Sequence, residues 1–430
     1  MLARLKTPAP AARALMLVAA LTVFGGCGKG ALSSSSTHAN AVVAGAPAGH
    51  TTCAQTVLDV LGRVARRIYR QGVSSERTAS AAHLIAASAG LREAVERGDA
   101  AGARVAAQSL IAGGHMTNLR VIRGGAVLAD VGGPAVTPLH GTLRGAGGQP
   151  IGSYVTSVWS DEGLLAETNG VTGSRVALRA GGRSVGGSLA LPPGRLPAEG
   201  VLSYGGRRYQ YTSFGGARYP AGHVRVYLLK PISSTVSLCG ATPEDTVVNT
   251  LGRIANLIYA GEGGARTLPQ VRRVQRDQAL VQAVAAGDAP AAKAAIEALL
   301  TEHIVRLRVI TDAGVLSDVG GPLVLAPVTA PLKLSGRAIG HLVLSIQDDE
   351  GYLRLTKRLA GLRVLMYMSP ARRGGTPQLV KNSLGPSPGS VPASGPYVYR
   401  GRRFRVFTVG ARAFPSGPLT IRVLVPLPYS

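Results

Sequence analysis

Apolar side chains recur at helical spacing near the start of two long segments of the chain. Residues 56–69 carry apolar residues three or four positions apart, and residues 246–259 repeat this pattern. Two further regions of helical spacing follow in each case, at residues 81–97 and 101–111 in the first segment and at residues 274–286 and 289–300 in the second. Each segment is therefore predicted to begin with a group of amphipathic helices.

Beyond each group of helices the apolar residues alternate, as they do in strands that are buried on one face. The predicted strands are residues 119–122, 127–131, 151–158, 176–178 and 223–229 in the first segment and residues 307–310, 315–319, 339–346, 363–366 and 419–425 in the second. We therefore expect a mostly antiparallel five-stranded sheet after the helices of each segment. This order of elements predicts the α+β class, with helices packed on a sheet.

The two segments are copies of one structural unit. Both contain the sequence D-V-G-G-P, which begins at Asp130 and at Asp318, and an isoleucine–glycine pair follows at the same distance in both. Equal spacing over such a length indicates a tandem duplication. We define residues 51–238 as copy one and residues 239–430 as copy two, and we expect each copy to be a domain.

The N-terminus has the features of an export signal. Basic residues precede an apolar run at residues 14–24, which is shorter than the roughly 20 residues needed to span a bilayer. The run ends in F-G-G-C, which resembles the lipobox of bacterial lipoproteins, although Phe24 stands where leucine is usual. The resemblance implies a signal peptide at residues 1–27 and lipidation of Cys27; an ordinary cleaved signal peptide is the alternative. Residues 28–50 are rich in Ser, Ala and Gly, as in a flexible tether.

The three cysteines fit an exported protein. If Cys27 carries a lipid, Cys53 and Cys239 remain as a pair in an oxidising compartment. We therefore hypothesise a disulfide between Cys53 and Cys239 that ties together the two ends of copy one. Two isolated cysteines without neighbouring His or Cys ligands are a poor zinc site, so no metal is expected.

The chain is strongly basic, with a formal net charge of +25. This charge favours polyanions such as anionic lipids or cell-wall polymers, or it reflects an arginine-rich composition spread over two domains. Aromatic residues make up only 4% of the chain and are not interleaved with the basic residues. We therefore do not expect a nucleic-acid partner.

Several polar residues at strand ends are candidate ligand contacts. Asp130 and Asp318 precede a Gly-Gly turn, where each carboxylate would either meet a ligand ammonium group or accept backbone N–H groups in an Asx turn. In copy two, Ser345, Gln347, Asp348 and Asp349 lie at the end of the most apolar strand, and Tyr352 follows in the next predicted helix. These residues either line a ligand pocket, or Asp348 or Asp349 caps the next helix.

Copy one differs from copy two at this strand end. It retains Ser157 and Asp161, but Trp159 replaces Gln347 and Leu164 replaces Tyr352. We therefore expect the two copies not to bind the same ligand, and copy two is where a ligand is expected first. No catalytic motif of a hydrolase, metalloprotease or P-loop enzyme is present, so we expect neither enzymatic activity nor a cofactor.

Helices followed by antiparallel strands, with D-V-G-G-P and a closing Y-x-G-R-R-[YF] hairpin, resemble the Cache superfamily of extracytoplasmic PAS-like sensor domains. The resemblance implies two tandem PAS/Cache-like domains, each with a pocket for a small ligand between the sheet and the loops that cover it. Such domains usually signal through a transmembrane helix, and the sequence lacks a later apolar segment of about 20 residues.

The sequence as a whole predicts a lipid-anchored protein on the extracytoplasmic face of the cell membrane. We expect a sensor or solute-binding protein that binds a small molecule or a membrane protein partner. The alternative function is electrostatic binding of anionic cell-wall or membrane surfaces.

Overall fold

The computed structural model describes residues 43–44, 52–220, 222–262, 264, 267–300, 304–369 and 375–429. The expected signal peptide with Cys27 lies outside these residues, as does most of the expected tether. The chain from Asn40 to Ser430 forms one compact unit. In the part of the chain that is described, no helix combines the length and the apolar character needed to cross a membrane.

Copy one and the short strand before it contain six helices and twelve strands among the described residues. The helices are α1 (Cys53–Val73), α2 (Glu76–Ala87), α3 (Ala89–Arg97), α4 (Ala100–Ala112), α5 (Asp161–Thr172) and α6 (Ile232–Val236). The strands are β1 (Val43–Ala44), β2 (Asn118–Arg123), β3 (Ala126–Gly132), β4 (Ala135–Val136), β5 (Leu139–Arg144), β6 (Pro150–Ser157), β7 (Trp159–Ser160), β8 (Arg175–Ala180), β9 (Arg183–Gly187), β10 (Glu199–Tyr204), β11 (Arg207–Tyr219) and β12 (Gly222–Pro231).

Copy two repeats this order of elements. Its helices are α7 (Pro243–Glu262), α8 (Thr267–Arg276), α9 (Gln278–Ala286), α10 (Ala289–Leu299) and α11 (Asp349–Ala360). Its strands are β13 (Arg306–Thr311), β14 (Gly314–Gly320), β15 (Val324–Leu325), β16 (Val328–Leu334), β17 (Arg337–Ser345), β18 (Gln347–Asp348), β19 (Arg363–Met368), β20 (Gln378–Asn382), β21 (Gly395–Tyr399), β22 (Arg402–Phe414) and β23 (Gly417–Leu427). The α+β class and the tandem arrangement of helices followed by antiparallel strands are therefore confirmed.

The distribution of strands differs from the expected single five-stranded sheet in each copy. Among the described residues, each copy has two antiparallel sheets, and the first has four strands, in the order β3-β2-β6-β5 in copy one and β14-β13-β17-β16 in copy two. The second sheet of copy one contains five longer strands in the order β10-β11-β12-β8-β9, with short strands added at its margins. Alternation predicts which residues are extended, but not which strands pair, because pairing is not local.

The D-V-G-G-P motif marks the point where the chain passes from the first sheet to the second. Gly132 has a φ of 95°, and a Cβ atom there would lie 2.3 Å from the carbonyl oxygen of Thr117. Only glycine tolerates both the positive φ and this close approach. The chain then enters β4, where Ala135 pairs with Tyr219 of β11 in the second sheet. The motif therefore has an architectural role, which Gly320 repeats in copy two.

The first sheet of each copy packs under its own short helices, whereas the second sheets share a core. Leu119 and Val121 of β2 belong to one buried apolar cluster with Leu91 and Val95 of α3. In contrast, one apolar cluster joins α1 and the second sheet of copy one to α7, α11 and the second sheet of copy two, with Ile68 and Ile254 among its buried members. Burial of apolar surface therefore holds the two copies together.

The boundary between the copies lies in a short connection. It separates α6 from α7 and contains Cys239, which forms a disulfide with Cys53 at the start of α1, with a Cα–Cα distance of 5.6 Å. The bond links the first helix of copy one to the segment that leads into copy two.

Candidate ligand-binding site

A cleft of about 920 Å³ lies on the face of the second sheet of copy one that is turned away from the shared core. The segment of residues 188–198 covers part of this face, where Leu191 and Leu196 pack on Tyr211 and Tyr227. The cleft borders this small core, and its lining includes Arg179, Arg195, Arg225 and several glycines. We call it the arginine cleft.

Strand pairing brings two of these arginines together. Arg179 of β8 and Arg225 of β12 are directly opposite each other in the antiparallel ladder. Side chains of directly opposite residues lie on the same face of a sheet, about 5 Å apart at their Cβ atoms. The neighbouring Leu178 and Val226 point to the other face and pack in the shared core. Alternation therefore directs both guanidinium groups to the arginine cleft.

Arg179 is only 4% exposed, and its guanidinium group is incompletely bonded. Its Nη2 donates to the carbonyl oxygens of Gly182 and Gly194, so the side chain joins the β8–β9 turn to the covering segment. Its Nε and Nη1 are buried and donate to no acceptor among the described residues. Buried N–H groups nearly always have a partner, so these two indicate an unfilled position for an acceptor.

The electrostatics of the arginine cleft favour an anion. Among the described residues, no carboxylate forms an ion pair with Arg179 or Arg225. Beside the cleft, the buried hydroxyl of Tyr211 has no hydrogen-bond partner among the described residues either. Burial is the main factor that raises the pKa of Tyr211, and the nearby charge of Arg179 opposes this rise. An ionised group that is buried without a counter-charge costs several kcal/mol, which an anionic ligand would offset.

Copy two has no such pair of charges at the same place. Tyr367 and Thr420 are directly opposite each other in the equivalent strands, where copy one has Arg179 and Arg225. The guanidinium group of Arg422 lies 4.2 Å from the centre of the Tyr367 ring, and its Nη1 donates to the carbonyl oxygen of Val391. In copy two, an arginine therefore stacks on an aromatic ring at the position that Arg179 occupies in copy one.

The aspartates at the starts of α5 and α11 are both buried and paired with a cation. Asp161 is 8% exposed, and its Oδ2 accepts hydrogen bonds from Nε and Nη2 of Arg218 at 2.8 and 2.7 Å. Asp349 is 6% exposed, and its Oδ2 lies 3.2 Å from Nζ of Lys381. Neither aspartate lines the arginine cleft.

The serines at the ends of β6 and β17 hold short strands in place. Ser157 donates to the carbonyl oxygen of Val136 in β4, and Ser345 donates to that of Leu325 in β15. Each serine also accepts a hydrogen bond from the backbone N–H two residues later. Both hydroxyls are therefore used in the fold, at the same place in the two copies.

The other polar residues at this strand end in copy two also have structural partners. Asp348 caps α11, because its carboxylate accepts the N–H of Gly351 at 2.7 Å. This is the capping alternative that the sequence left open. The half-buried Gln347 donates its side-chain amide to the carbonyl oxygen of Asp348. Neither residue lines the arginine cleft.

Tyr352 belongs to the shared core, although the sequence suggested a ligand contact. It is 0% exposed, and its hydroxyl donates to the carbonyl oxygen of Ala255 at 3.3 Å. Its ring packs edge-on against Tyr259, and burial strongly raises its pKa. Leu164, at the equivalent position in copy one, is fully buried as well. The difference between these two residues is therefore a difference in core packing.

The two aspartates of the D-V-G-G-P motifs contact side chains of their own copies. Asp318 accepts hydrogen bonds from Arg306 and Arg308, at distances between 2.5 and 2.9 Å. Burial alone would raise the pKa of Asp318, but these hydrogen bonds and charges lower it below its usual value. Asp130 accepts a hydrogen bond from the hydroxyl of Tyr219. Their observed partners are side chains, rather than the backbone N–H groups of an Asx turn.

The structure places the strongest candidate site in copy one, whereas the sequence directed attention first to copy two. Sequence reasoning missed Arg179 and Arg225 because they lie in unremarkable strands. In an alignment of the two copies, Arg179 is opposite Tyr367 and Arg225 is opposite Thr420. Nothing in the local sequence indicates that Arg179 and Arg225 are neighbours in the sheet. Among the described residues, no group of three or more His, Cys, Asp or Glu side chains is arranged to hold a metal ion.

No family model matches the chain, and no curated protein matches it. Among solved structures, the chain is similar to an extracellular ligand binding receptor from Desulfohalobium retbaense DSM5692, with 13% identity and a TM-score of 0.23. The match covers 41% of this chain and 39% of the receptor. A TM-score of this size does not establish a common fold, so the receptor's function is not transferred to this chain.

Proposed function

We propose that this protein is a lipid-anchored, extracytoplasmic ligand-binding protein of the Cache type, that it holds a small anionic molecule in the arginine cleft, and that it catalyses no reaction. The single observation that carries the proposal is the buried guanidinium group of Arg179, with two unpartnered N–H groups and no carboxylate in an ion pair with it among the described residues. A ligand carboxylate or phosphate group supplies the missing acceptors.

The surroundings of Arg179 favour a ligand with both an anionic group and an apolar part. Arg195 and Arg225 add two positive charges, and glycines leave space for the ligand to approach the backbone. Most of the remaining wall is apolar, as is usual for small-molecule sites in which a few polar groups orient the ligand. The Arg fork suits planar carboxylates and phosphates because it donates two parallel hydrogen bonds.

Export and anchoring rest on the N-terminal sequence. The short apolar run and the F-G-G-C sequence that ends at Cys27 support a lipidated, extracytoplasmic location. The tandem α+β copies and the closing hairpins support the Cache resemblance. The proposal that no reaction is catalysed is supported by the sequence, which carries no catalytic motif of a hydrolase, metalloprotease or P-loop enzyme.

A thermal-shift screen of the whole chain tests the proposal. The panel contains amino acids, dicarboxylates and phosphorylated metabolites, and a ligand at about 100 times its Kd adds about 2.7 kcal/mol to the free energy of unfolding. Arg225→Thr, which copies the residue of copy two, is expected to remove most of the shift. Arg104→Thr on exposed α4 removes the same charge elsewhere and is the matched control. The proposal fails if no anion stabilises the protein, or if the shift survives in Arg225→Thr.

Binding to an anionic surface is the second candidate function, and a separate basic seam favours it. The seam is a depression of about 440 Å³ where the ends of α1 and α11 meet, lined by Arg67, Arg70, Lys357, Arg358, Arg363 and Arg402. Each helix C-terminus carries about −0.5 of an elementary charge, so the two ends offset only about one of these positive charges. The seam therefore keeps a large positive excess.

Salt dependence separates the two functions. Binding to phosphatidylglycerol vesicles through the basic seam should weaken steeply between low and high sodium chloride concentrations. Arg70→Ser combined with Arg402→Ser should weaken it further, whereas Arg225→Thr should leave it unchanged. Vesicle binding that is insensitive to salt and to the double substitution would exclude this second function.

A further inference from the structure

A second cleft, on the core side of the same sheet, has the opposite charge. It has a volume of about 760 Å³ and lies beside α5, next to the apolar side chains of Leu165, Val176 and Val185. Its ionisable lining residues are Asp161, Glu162 and Arg218. Two carboxylates against one guanidinium group leave a formal charge of about −1, which the N-terminus of α5 reduces to about −0.5, within a chain of net charge +25. We call it the acidic cleft.

The two-residue strand β4 brings two charged residues of this cleft together. Ala135 pairs with Ser160 of β7 on one side and with Tyr219 of β11 on the other. The residue after Ser160 is Asp161 and the residue before Tyr219 is Arg218, so β4 brings their side chains together from distant parts of the chain. The resulting ion pair is nearly buried, with side-chain exposures of 11% for Asp161 and 8% for Arg218.

One oxygen of the Asp161 carboxylate is left over. Arg218 bonds Oδ2, whereas Oδ1 is buried and accepts no hydrogen bond from the described residues. An ionised oxygen that is buried without a donor costs more free energy than an unsatisfied neutral group does. Because Asp161 lines the acidic cleft, a ligand in the cleft is placed to supply the missing donor.

In copy two, both oxygens of the equivalent aspartate have a partner. At the equivalent aspartate, Asp349, Oδ1 accepts the N–H of Glu350 at 2.9 Å, and Oδ2 lies 3.2 Å from the ammonium group of Lys381. In copy two, Lys381 is directly opposite Met366 on the neighbouring strand. In copy one, Gly186 is directly opposite Leu178, the equivalent of Met366, so Gly186 and Lys381 occupy equivalent positions. The sheet position that carries an ammonium group in copy two therefore has no side chain in copy one, and Gly186 lines the acidic cleft.

Charge compensation alone does not explain why copy two has Lys381 where copy one has Gly186. Lys381 takes the place of Arg218 as the counter-charge of the aspartate, because copy two has Ala413 at the position of Arg218. In copy one, however, Arg218 already compensates one carboxylate oxygen, and the other oxygen has no donor among the described residues. Glu162 adds a further negative charge to the lining. Both features favour a positively charged donor.

We infer that the acidic cleft binds the ammonium group of a small molecule, in the position that Lys381 fills within copy two. The ligand's N–H groups bond Oδ1 of Asp161, and its apolar part packs on Leu165 and Val185. This site is independent of the proposed anion site, which lies on the other face of the sheet.

An exchange of residues between the copies tests the inference on the whole chain. The probe is n-butylamine hydrochloride, with 1-butanol and matched sodium chloride as controls. The amine is expected to raise the melting temperature of the natural protein in a saturable way, and neither control should do so. Gly186→Lys should abolish this shift, because the new ammonium group occupies the site. Adding Lys381→Gly to Gly186→Lys should restore an amine response through Asp349.

An exposed variant keeps the test decisive if Gly186→Lys does not fold. Glu162→Gln lies at the start of α5 and should raise the apparent Kd for butylamine about 2–5-fold, the loss expected for one exposed charge. Glu297→Gln on α10 is the matched control and should change nothing. The inference is overturned if butylamine gives no saturable shift, if Gly186→Lys folds and keeps the shift, or if Glu162→Gln binds as tightly as the natural protein. A loss of the shift in Arg225→Thr would instead place the amine in the arginine cleft and would also overturn it.

Discussion

Arg179 and Arg225 are directly opposite each other on adjacent antiparallel strands, with one guanidinium group buried and the other exposed. Like charges in this arrangement are destabilising, and copy two has Tyr367 and Thr420 instead. The protein therefore retains an unfavourable pair in one copy only. An anion bound between the two groups, as we propose, would offset this repulsion.

Arg225→Thr is expected to stabilise the protein when no anion is bound. Removing one of two like charges should raise the free energy of unfolding by about 0.2–1 kcal/mol. With a saturating anionic ligand, the natural protein should be more stable than Arg225→Thr, because only the natural protein gains the binding energy of the ligand. Urea denaturation with and without the ligand measures both effects, and a loss of stability in the ligand-free variant would contradict this explanation.

Arg218→Ala should be strongly destabilising, because it leaves the buried carboxylate of Asp161 without its counter-charge. We expect a loss of about 3–5 kcal/mol, as for other broken buried ion pairs. Lys381→Ala is the comparison in copy two, where the lysine side chain is 33% exposed and the loss should be smaller. Chemical denaturation measures the free energy of unfolding of both variants. Equal losses would contradict the expectation that the more buried ion pair contributes more.

Asp318→Asn should remove a pH-dependent part of the stability. Arg306 and Arg308 lower the pKa of Asp318 below the value of about 3.9 expected in the unfolded chain. A carboxyl group with a lowered pKa in the folded state contributes stability above the unfolded pKa, and this contribution disappears as the pH falls through the folded pKa. The variant should therefore be less stable at neutral pH, by about 1.5–3 kcal/mol.

The difference between natural protein and Asp318→Asn should shrink below about pH 4, where the natural carboxyl group takes up its proton. Melting temperatures recorded between neutral pH and the acid range measure it. Asp130→Asn is the control in copy one, since its side chain is 43% exposed and faces Tyr219 and a more distant Arg120. A constant difference across the whole pH range would show that Asp318 is not held ionised by the two arginines.

The disulfide should be found intact in protein from an oxidising compartment. A digest without reduction is expected to yield a peptide pair joined through Cys53 and Cys239. Replacing both cysteines by alanine should cost about 2–5 kcal/mol, because the bond restricts the unfolded chain. Mass spectrometry and urea denaturation are the measurements. Free thiols at both positions before reduction would contradict the bond.

The sequence predicted the features that depend on local pattern. Helical spacing at residues 56–69 and alternation at residues 151–158 are properties of neighbouring residues, and α1 and β6 lie where these patterns predict them. The duplication is also visible directly, since equal spacing of two motifs needs no structure. For these reasons the α+β class and the tandem arrangement followed from the sequence.

For the candidate residues, the residue types can be read from the sequence, but their hydrogen-bond and ion-pair partners cannot. Asp161, Asp318 and Ser345 are predicted ligand contacts because polar groups at strand ends often bind ligands. Their partners come from other parts of the chain: Arg218, two arginines of β13, and the carbonyl oxygen of Leu325. A polar residue is available to a ligand only when the fold leaves it unsatisfied, and this is a property of tertiary packing.

By itself, the sequence determined the duplication, the fold class and the positions of most helices and strands, because these depend on spacing along the chain. Tertiary structure alone decided that each copy has two sheets, that Arg179 meets Arg225, and that Gly186 takes the place of Lys381 beside a buried aspartate. Strand pairing joins residues that are far apart in the chain, so the charges of both clefts arise only when the sheet has formed.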